Sequence, residues 1–243
     1  MFARWEKLWY DEQKNIKVGY VVVKSSKVLS FACAVLLALG VLSASIAVPI
    51  LYRGFYYAQI GPLGLEEYTG LNEPTIREAY DQVLDYCTGK TDTFSAGLLP
   101  FSESGASHFA DVRKLFLLDL WVLGFSLAAL AALLLFARWK RLRPQRFLGR
   151  GPGFWGAAGL GGAFLLIGGL ASLDFNRAFV IFHTLFFPGK DNWIFDWQTD
   201  PVILILPQDF FRNCAILVLG LLLLWCAVLI TLDFVLSKKK PAK

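Results

Sequence analysis

The chain has 243 residues, of which 56% are hydrophobic, 15% aromatic and only 18% charged, and its mean hydropathy is +0.52. Soluble domains carry about 25% charged residues. This composition therefore excludes a disordered chain, a coiled coil and a small disulfide scaffold, and it favours an integral membrane protein. The net charge of +5 would suit nucleic acid, but the positive residues flank apolar runs, which argues against a nucleic-acid partner.

In chain order, residues 1–27 form a basic cytoplasmic segment and residues 28–243 a membrane domain. A spanning helix needs about 20 apolar residues, and four segments qualify: 28–50, 115–137 with Asp119 inside, 154–173, and 214–236 with Asp233 near its end. These runs are continuous, whereas barrel strands would alternate over about 10 residues, so the fold class is all-α integral membrane. The first run is long for a signal-peptide core and is read as a retained helix.

Between the first two spans, Asn72 and Pro74 start a helix. Along it Ile76, Ala79, Tyr80, Val83, Leu84 and Cys87 recur at helical spacing. That helix either caps the bundle or lies on the membrane surface. Gly153, Ala157 and Gly161 put a small-residue packing face at the start of the third span. The apolar character of that span continues past Leu173 to Phe187. A single helix from 154 would then reach about 50 Å, more than the hydrocarbon thickness of about 30 Å. The segment must project, kink or turn back along the surface. Cys33, Cys214 and Cys226 suit small apolar packing roles. Cys87 is the sole cysteine of the external loops, which excludes a disulfide framework there.

Lys and Arg bias sets the orientation. Residues 1–27 hold six Lys/Arg and three acids, residues 138–150 six Lys/Arg and no acid, and the tail holds Lys238, Lys239, Lys240 and Lys243. Residues 51–114 hold five positives and nine acids, and residues 174–212 three positives and five acids. Both termini are thus expected in the cytoplasm, with external loops over 51–114 and 174–213.

The chain has only two histidines, His108 and His183, each expected where an external loop meets the membrane. No nucleophile elbow, phosphate loop or Cys-x-x-Cys is present. The 75 residues between the histidines carry no metal-ligand spacing, so no metal and no cofactor are expected. What remains is general acid–base chemistry by imidazole, which titrates near neutral pH. Asp111 or Asp119 is a candidate to orient His108, and Asn176, seven residues before His183, a candidate to position it.

Phe182-His183-Thr184-Leu185-Phe186-Phe187-Pro188-Gly189, then Asp191-Asn192-Trp193-Ile194-Phe195-Asp196, Thr199-Asp200-Pro201 and Pro207-Gln208-Asp209-Phe210-Phe211 resemble the signature of the bacterial lipoprotein intramolecular transacylases. Gln208 stands where that family usually has Glu. His108-Phe109-Ala110-Asp111-Val112-Arg113 resembles its His-x-x-Asp-Val-basic motif, and residues 1–24 stand as an added stretch. The resemblance implies a multi-pass enzyme of the bacterial plasma membrane with an extracytoplasmic active site. Its substrate would be a lipoprotein bearing a diacylglyceryl-cysteine, among membrane lipids. It would move the sn-2 acyl chain to that cysteine's own amine and leave the lyso form. His183 is then the base and His108 its partner. Asp111 and Asn176 are orienting candidates. Arg177, Asp191, Asn192, Trp193, Asp196 and Asp200 are candidates to line the site or fold the loop. Two rival classes stand beside this reading: a small non-enzymatic transporter or scaffold, to which Asp119 within a span lends support, and an intermolecular membrane acyltransferase.

Overall fold

The computed structural model describes residues 23–238. Most of the basic N-terminal segment, residues 1–22, and the tail lysines from 239 onward lie outside them. Among the described residues, four helices are long and apolar enough to cross a membrane: α1 (Lys27–Leu51), α5 (Glu103–Trp139), α6 (Pro152–Leu173) and α9 (Gln208–Lys238). Short helices fill the loops: α2 (Gly54–Tyr57), α3 (Leu65–Thr69), α4 (Glu73–Cys87), α7 (Phe175–Phe186) and α8 (Val202–Ile205).

α1 is the hub of the bundle and packs against α5, α6 and α9, while α6 also packs against α9. Lipid tails offer no hydrophobic drive between helices, so close approach depends on small residues. At Gly156 the α6 backbone comes so near α1 that an added Cβ would lie 2.7 Å from the Ala34 carbonyl oxygen. Of the expected small-residue face, Ala157 and Gly161 are buried.

At one end the two long loops fold together into a cap. Tyr56, Ile60, Leu65 and Ile76 from the first loop pack with Val202, Ile205 and Leu206 from the second, and with Phe109 of α5 and Phe210 of α9. Tyr56 stacks on Tyr80 with centroids 3.7 Å apart, and its hydroxyl donates to the Ile205 carbonyl at 2.7 Å, tying loop to loop. α4 starts at the expected cap, with the Asn72 side chain accepting from Thr75 N at 3.0 Å. Its Ile76–Cys87 stripe is buried in this core, so α4 caps the bundle.

At the opposite end Lys24–Ser26 (β1) pairs in parallel with Leu142–Pro144 (β2), a two-stranded contact that periodicity did not signal. Asp233 of α9 is buried between Arg146 (2.9 Å) and Arg150 (3.6 Å) and accepts from Gly151 N at 2.9 Å. Thus the described parts of all three basic regions gather at one end.

Two boundaries differ from the sequence expectation. α5 begins at Glu103, inside the expected 51–114 loop. Its 37 residues span about 55 Å, so its first turns stand clear of a hydrocarbon core of about 30 Å and enter the cap. Second, the long apolar run after Leu173 is not one helix. Asp174 adopts φ −154°, ψ 91°, which ends α6, and its carboxylate accepts from Arg177 N at 2.9 Å to start α7. Of the three paths considered for this segment, the break at Asp174 selects a change of direction. α7 then exposes Val180, Ile181, Phe182, Leu185 and Phe186, an apolar face suited to the membrane interface.

Candidate functional site

The two histidines, distant in sequence, meet beneath the cap. α5 contributes His108 from its second turn. The N-cap Ser102, whose hydroxyl accepts from Gly105 N at 3.0 Å, fixes where that turn begins. α7 contributes His183 near its C-terminal end. The imidazole rings lie nearly parallel, 5.9 Å apart at 29°, and both residues are buried.

Aromatic rings enclose the pair. Trp193 stacks on His183 at 4.6 Å, and Phe179 lies at 4.2 Å. Phe187 and Phe195 lie edge-on to His108 at 5.0 and 5.4 Å. Phe179, His183 and Phe187 are spaced by four, so α7 and its C-cap present them on one face. Trp193 is itself held by its indole N–H, which donates to the Lys190 carbonyl at 3.1 Å.

The hydrogen bonds assign roles to the ring nitrogens. His183 Nδ1 lies 2.8 Å from the Phe179 carbonyl oxygen. A carbonyl only accepts, so Nδ1 carries the proton and Nε2 keeps its lone pair. Burial pushes the His183 pKa below the ordinary imidazole value, against a smaller upward pull from the Phe179 carbonyl. The ring is therefore neutral at pH 7, the form able to accept a proton. His108 Nδ1 is buried and has no hydrogen-bond partner. Such a nitrogen forfeits about 1–3 kcal/mol unless another group meets it, and the Oδ1 of Asn192, a neighbour of this ring, is likewise buried and unpartnered.

The carboxylates near the pair do other work. Asp111 bonds neither imidazole. It accepts from Lys114 Nζ at 3.0 Å, from Lys190 Nζ, and at the long end of hydrogen bonding from Asn192 Nδ2 at 3.5 Å. It thereby latches the second loop onto α5 beside His108. Asn192 also reaches Ser107 Oγ at 3.4 Å. Asp200, buried, accepts from Ser102 N at 2.7 Å and from Thr199 Oγ1 at 2.8 Å. It supplies in trans the reciprocal half of a capping box for α5. Gly105 makes this possible, because a Cβ there would collide with the Asp200 carboxylate.

Other candidates stand further away. Asn176 Oδ1 accepts from Gln208 Nε2 at 2.9 Å instead of reaching His183. Asp196 caps a local turn through Gln198 N at 2.9 Å. Asp191 is exposed, and its carbonyl accepts from Ile194 N. The exposed Arg177 side chain has no hydrogen-bond or ion-pair partner among the described residues. Asp119 lies within α5, half-buried, with one carboxylate oxygen unpartnered.

Sequence reasoning assigned no part to Lys190, Phe179, Phe187 or Phe195. The four-residue spacing around His183 was the available signal for Phe179 and Phe187. Lys190 stood out only as a lone cation after Pro188-Gly189. Among the described residues, no cluster of three or more His, Cys, Asp or Glu is placed to hold a metal ion.

A neutral imidazole with a free Nε2 and a second imidazole, both buried among aromatic rings, together suit proton transfer. The sequence profile of lipoprotein intramolecular transacylase Lit matches residues 31–211. Solved in meso structures of the membrane-integral Lit from Bacillus cereus share the fold. One, at 23% identity, covers 87% of this chain and 95% of that one with a TM-score of 0.76. Two others, each with one histidine substituted by arginine or by alanine, match at 20% identity over 96% of this chain. They cover 96% and 98% of theirs, with TM-scores of 0.72 and 0.73. No curated protein matches by sequence.

Proposed function

The chain belongs to the lipoprotein intramolecular transacylase family, and from that premise we propose that it moves the sn-2 acyl chain of a diacylglyceryl-cysteine lipoprotein onto the α-amine of the same cysteine. The reaction forms one N–C amide bond and breaks one C–O ester bond within a single molecule. It therefore needs no second acyl donor, no ATP and no change in mass. Donor and acceptor are already joined, so holding them in line supplies much of the rate.

His183 is the base. The observation that carries this assignment is the Nδ1 bond to Phe179, which leaves Nε2 to accept a proton. An α-amine has a pKa of about 7.7–8.0, so much of it is protonated at neutral pH and unable to attack. The neutral fraction of the amine attacks the ester carbonyl carbon, and His183 takes the proton that this nitrogen then sheds and returns it to the departing glyceryl oxygen, so no net proton is gained or lost. His108 is the partner. Its unpartnered Nδ1 meets the amine or the ester oxygen as charge develops. Trp193, Phe179, Phe187 and Phe195 keep water from the ester. The exposed apolar face of α7 suits a route by which acyl chains pass sideways from the outer leaflet. The capped end then faces the extracytoplasmic side, consistent with the acidic loops there and the basic residues at the other end.

The test is a bacterium whose lipoproteins stop at the diacylglyceryl stage. The chain is expressed there, and the N-terminal peptide of a reporter lipoprotein is analysed by mass spectrometry. One acyl group should shift from glycerol to nitrogen at constant total mass. An unchanged peptide overturns the proposal, and a mass gain indicates an intermolecular donor. His183→Ala and His108→Ala should each lower the rate by about 10²–10⁴-fold while the protein still inserts. Full activity in either variant removes that residue's role.

A further inference from the structure

At the end opposite the cap, β1, β2, the start of α6 and the end of α9 enclose a half-open cavity of about 600 Å³. Its lining is divided. Ser25, Arg143 and Gln145 form a polar end, and Leu229, Leu232 and Leu236 of α9 form an apolar wall. The β1–β2 register places Ser25 opposite Arg143, and both line the cavity while remaining exposed.

The charge is divided as well. Arg146 and Asp233 also line the cavity, and the Asp233 carboxylate holds Arg146 together with Arg150, which lies outside the lining. Arg150 is further fixed over the Phe234 ring at 3.5 Å. One carboxylate thus meets two guanidinium groups and leaves a net positive charge. Arg143, by contrast, is exposed and has no hydrogen-bond or ion-pair partner among the described residues. The neighbouring sequence, residues 138–150, contains no acid. Gly151 and Pro152, also in the lining, begin α6, but Gly151 N–H donates to Asp233 at 2.9 Å, so the positive end of that helix is already met and Arg143 carries the free charge.

We propose that this cavity binds the phosphate of an anionic phospholipid of the cytoplasmic leaflet, with Arg143 as the principal contact and an acyl chain along Leu229, Leu232 and Leu236. A basic pocket between helices at the cytoplasmic surface is the setting in which anionic headgroups bind. The apolar wall distinguishes a lipid from a free phosphate. Exposed Leu232 and Leu236 open that wall to the bilayer. The site would tie β1 and the 138–150 turn to the membrane surface, independently of acyl transfer.

Native mass spectrometry of the full-length chain released from detergent tests this. Phosphatidylglycerol and phosphatidylcholine with identical acyl chains are the probes. Phosphatidylglycerol should be retained about fivefold better, the scale of one arginine near a headgroup. Arg143→Gln should abolish the preference, and Arg143→Lys should keep most of it. Leu232→Ala should weaken retention of both lipids and leave the preference intact. Equal retention of the two lipids overturns the proposal, as does a preference unchanged in Arg143→Gln or retention unchanged in Leu232→Ala. Inorganic phosphate that displaces phosphatidylglycerol at millimolar concentration reassigns the cavity to a free anion and overturns the lipid reading.

Discussion

The cap and the bundle bury their apolar residues differently, the cap within a charge-rich sequence and the bundle within continuous apolar runs. In the cap, Tyr56, Ile60 and Ile76 are almost wholly inaccessible, and rings meet edge-on across the two loops, Tyr56 against Phe210 at 5.1 Å. In the bundle, residues such as Trp121 and Leu173 stand outward at 76% and 82% exposure. Water drives the first arrangement. The second needs only that helices touch along a seam, since lipid solvates the rest. The cap therefore has the rigid, close-packed interior that can hold two imidazoles 5.9 Å apart, and the bundle anchors it at the membrane.

The sharpest way to break this contrast is to cut the cap core. Tyr56→Ala removes a buried ring and the hydroxyl that reaches Ile205, with an expected cost of about 3–5 kcal/mol. Leu173→Ala, on the outer surface of α6, should shift stability by less than about 0.5 kcal/mol. Thermal unfolding in detergent, with both variants side by side, measures the gap. Near-equal losses would mean that the cap is not the stabilising unit.

The bundle has its own sensitive point. Gly156→Ala places a methyl group against the Ala34 carbonyl and should cost about 1–3 kcal/mol by overpacking. Gly162→Ala meets nothing within 4 Å and should be neutral or slightly stabilising by helix propensity. A neutral Gly156→Ala would show that α1 and α6 part without penalty.

A smaller loss is expected where the second loop caps α5. Asp200→Ala leaves the Ser102 N–H unpartnered and should cost about 1–2 kcal/mol, the range of a lost N-cap. Because α5 carries His108, acyl-transfer rate should fall in parallel with stability. Asp200→Asn, which keeps an acceptor oxygen, should recover most of both. A rate unchanged in Asp200→Ala would separate the cap of α5 from the position of His108.

Much of this arrangement was legible in the sequence, for identifiable reasons. The spans were legible because lipid allows a continuous apolar run only one interpretation. α4 was legible because one face meets water and the other the core, so its period survives in the residues. Asp174 and Asp200 were harder. Each is a polar residue whose task depends on a backbone N–H, three residues on for Asp174 and in another element for Asp200, and no periodicity records that. Asn176 misled for the converse reason. A seven-residue spacing does place it on the His183 face of an ideal helix, but Gln208 of α9 offers a partner at the near end. Asp111 was marked as important by its motif, and the structure gives it a different partner. It anchors Lys190 and Asn192 and makes no hydrogen bond to His108.

The smallest expected effect concerns pH and tests whether the enclosure around His183 acts on its charge. Burial lowers the His183 pKa in the folded chain, whereas the unfolded chain titrates near 6.5. The unfolded state thus binds more protons over the interval below 6.5, so stability must fall as pH drops through it and stay level above it. His183→Gln, which cannot charge, should reduce that acid limb, and the buried imidazole of His108 supplies the remainder. The acyl-transfer rate at fixed amine protonation should hold constant from pH 8 to 6.5 and decline only below, as the base is lost. Trp193→Ala opens one face of the ring to water and should move the decline in rate upward toward 6.5 and shrink the stability limb. A rate decline already centred at 6.5 in the unaltered protein would mean that the aromatic shell does not desolvate His183. In that case its closeness to His108 alone, not a shifted pKa, would set its competence as a base.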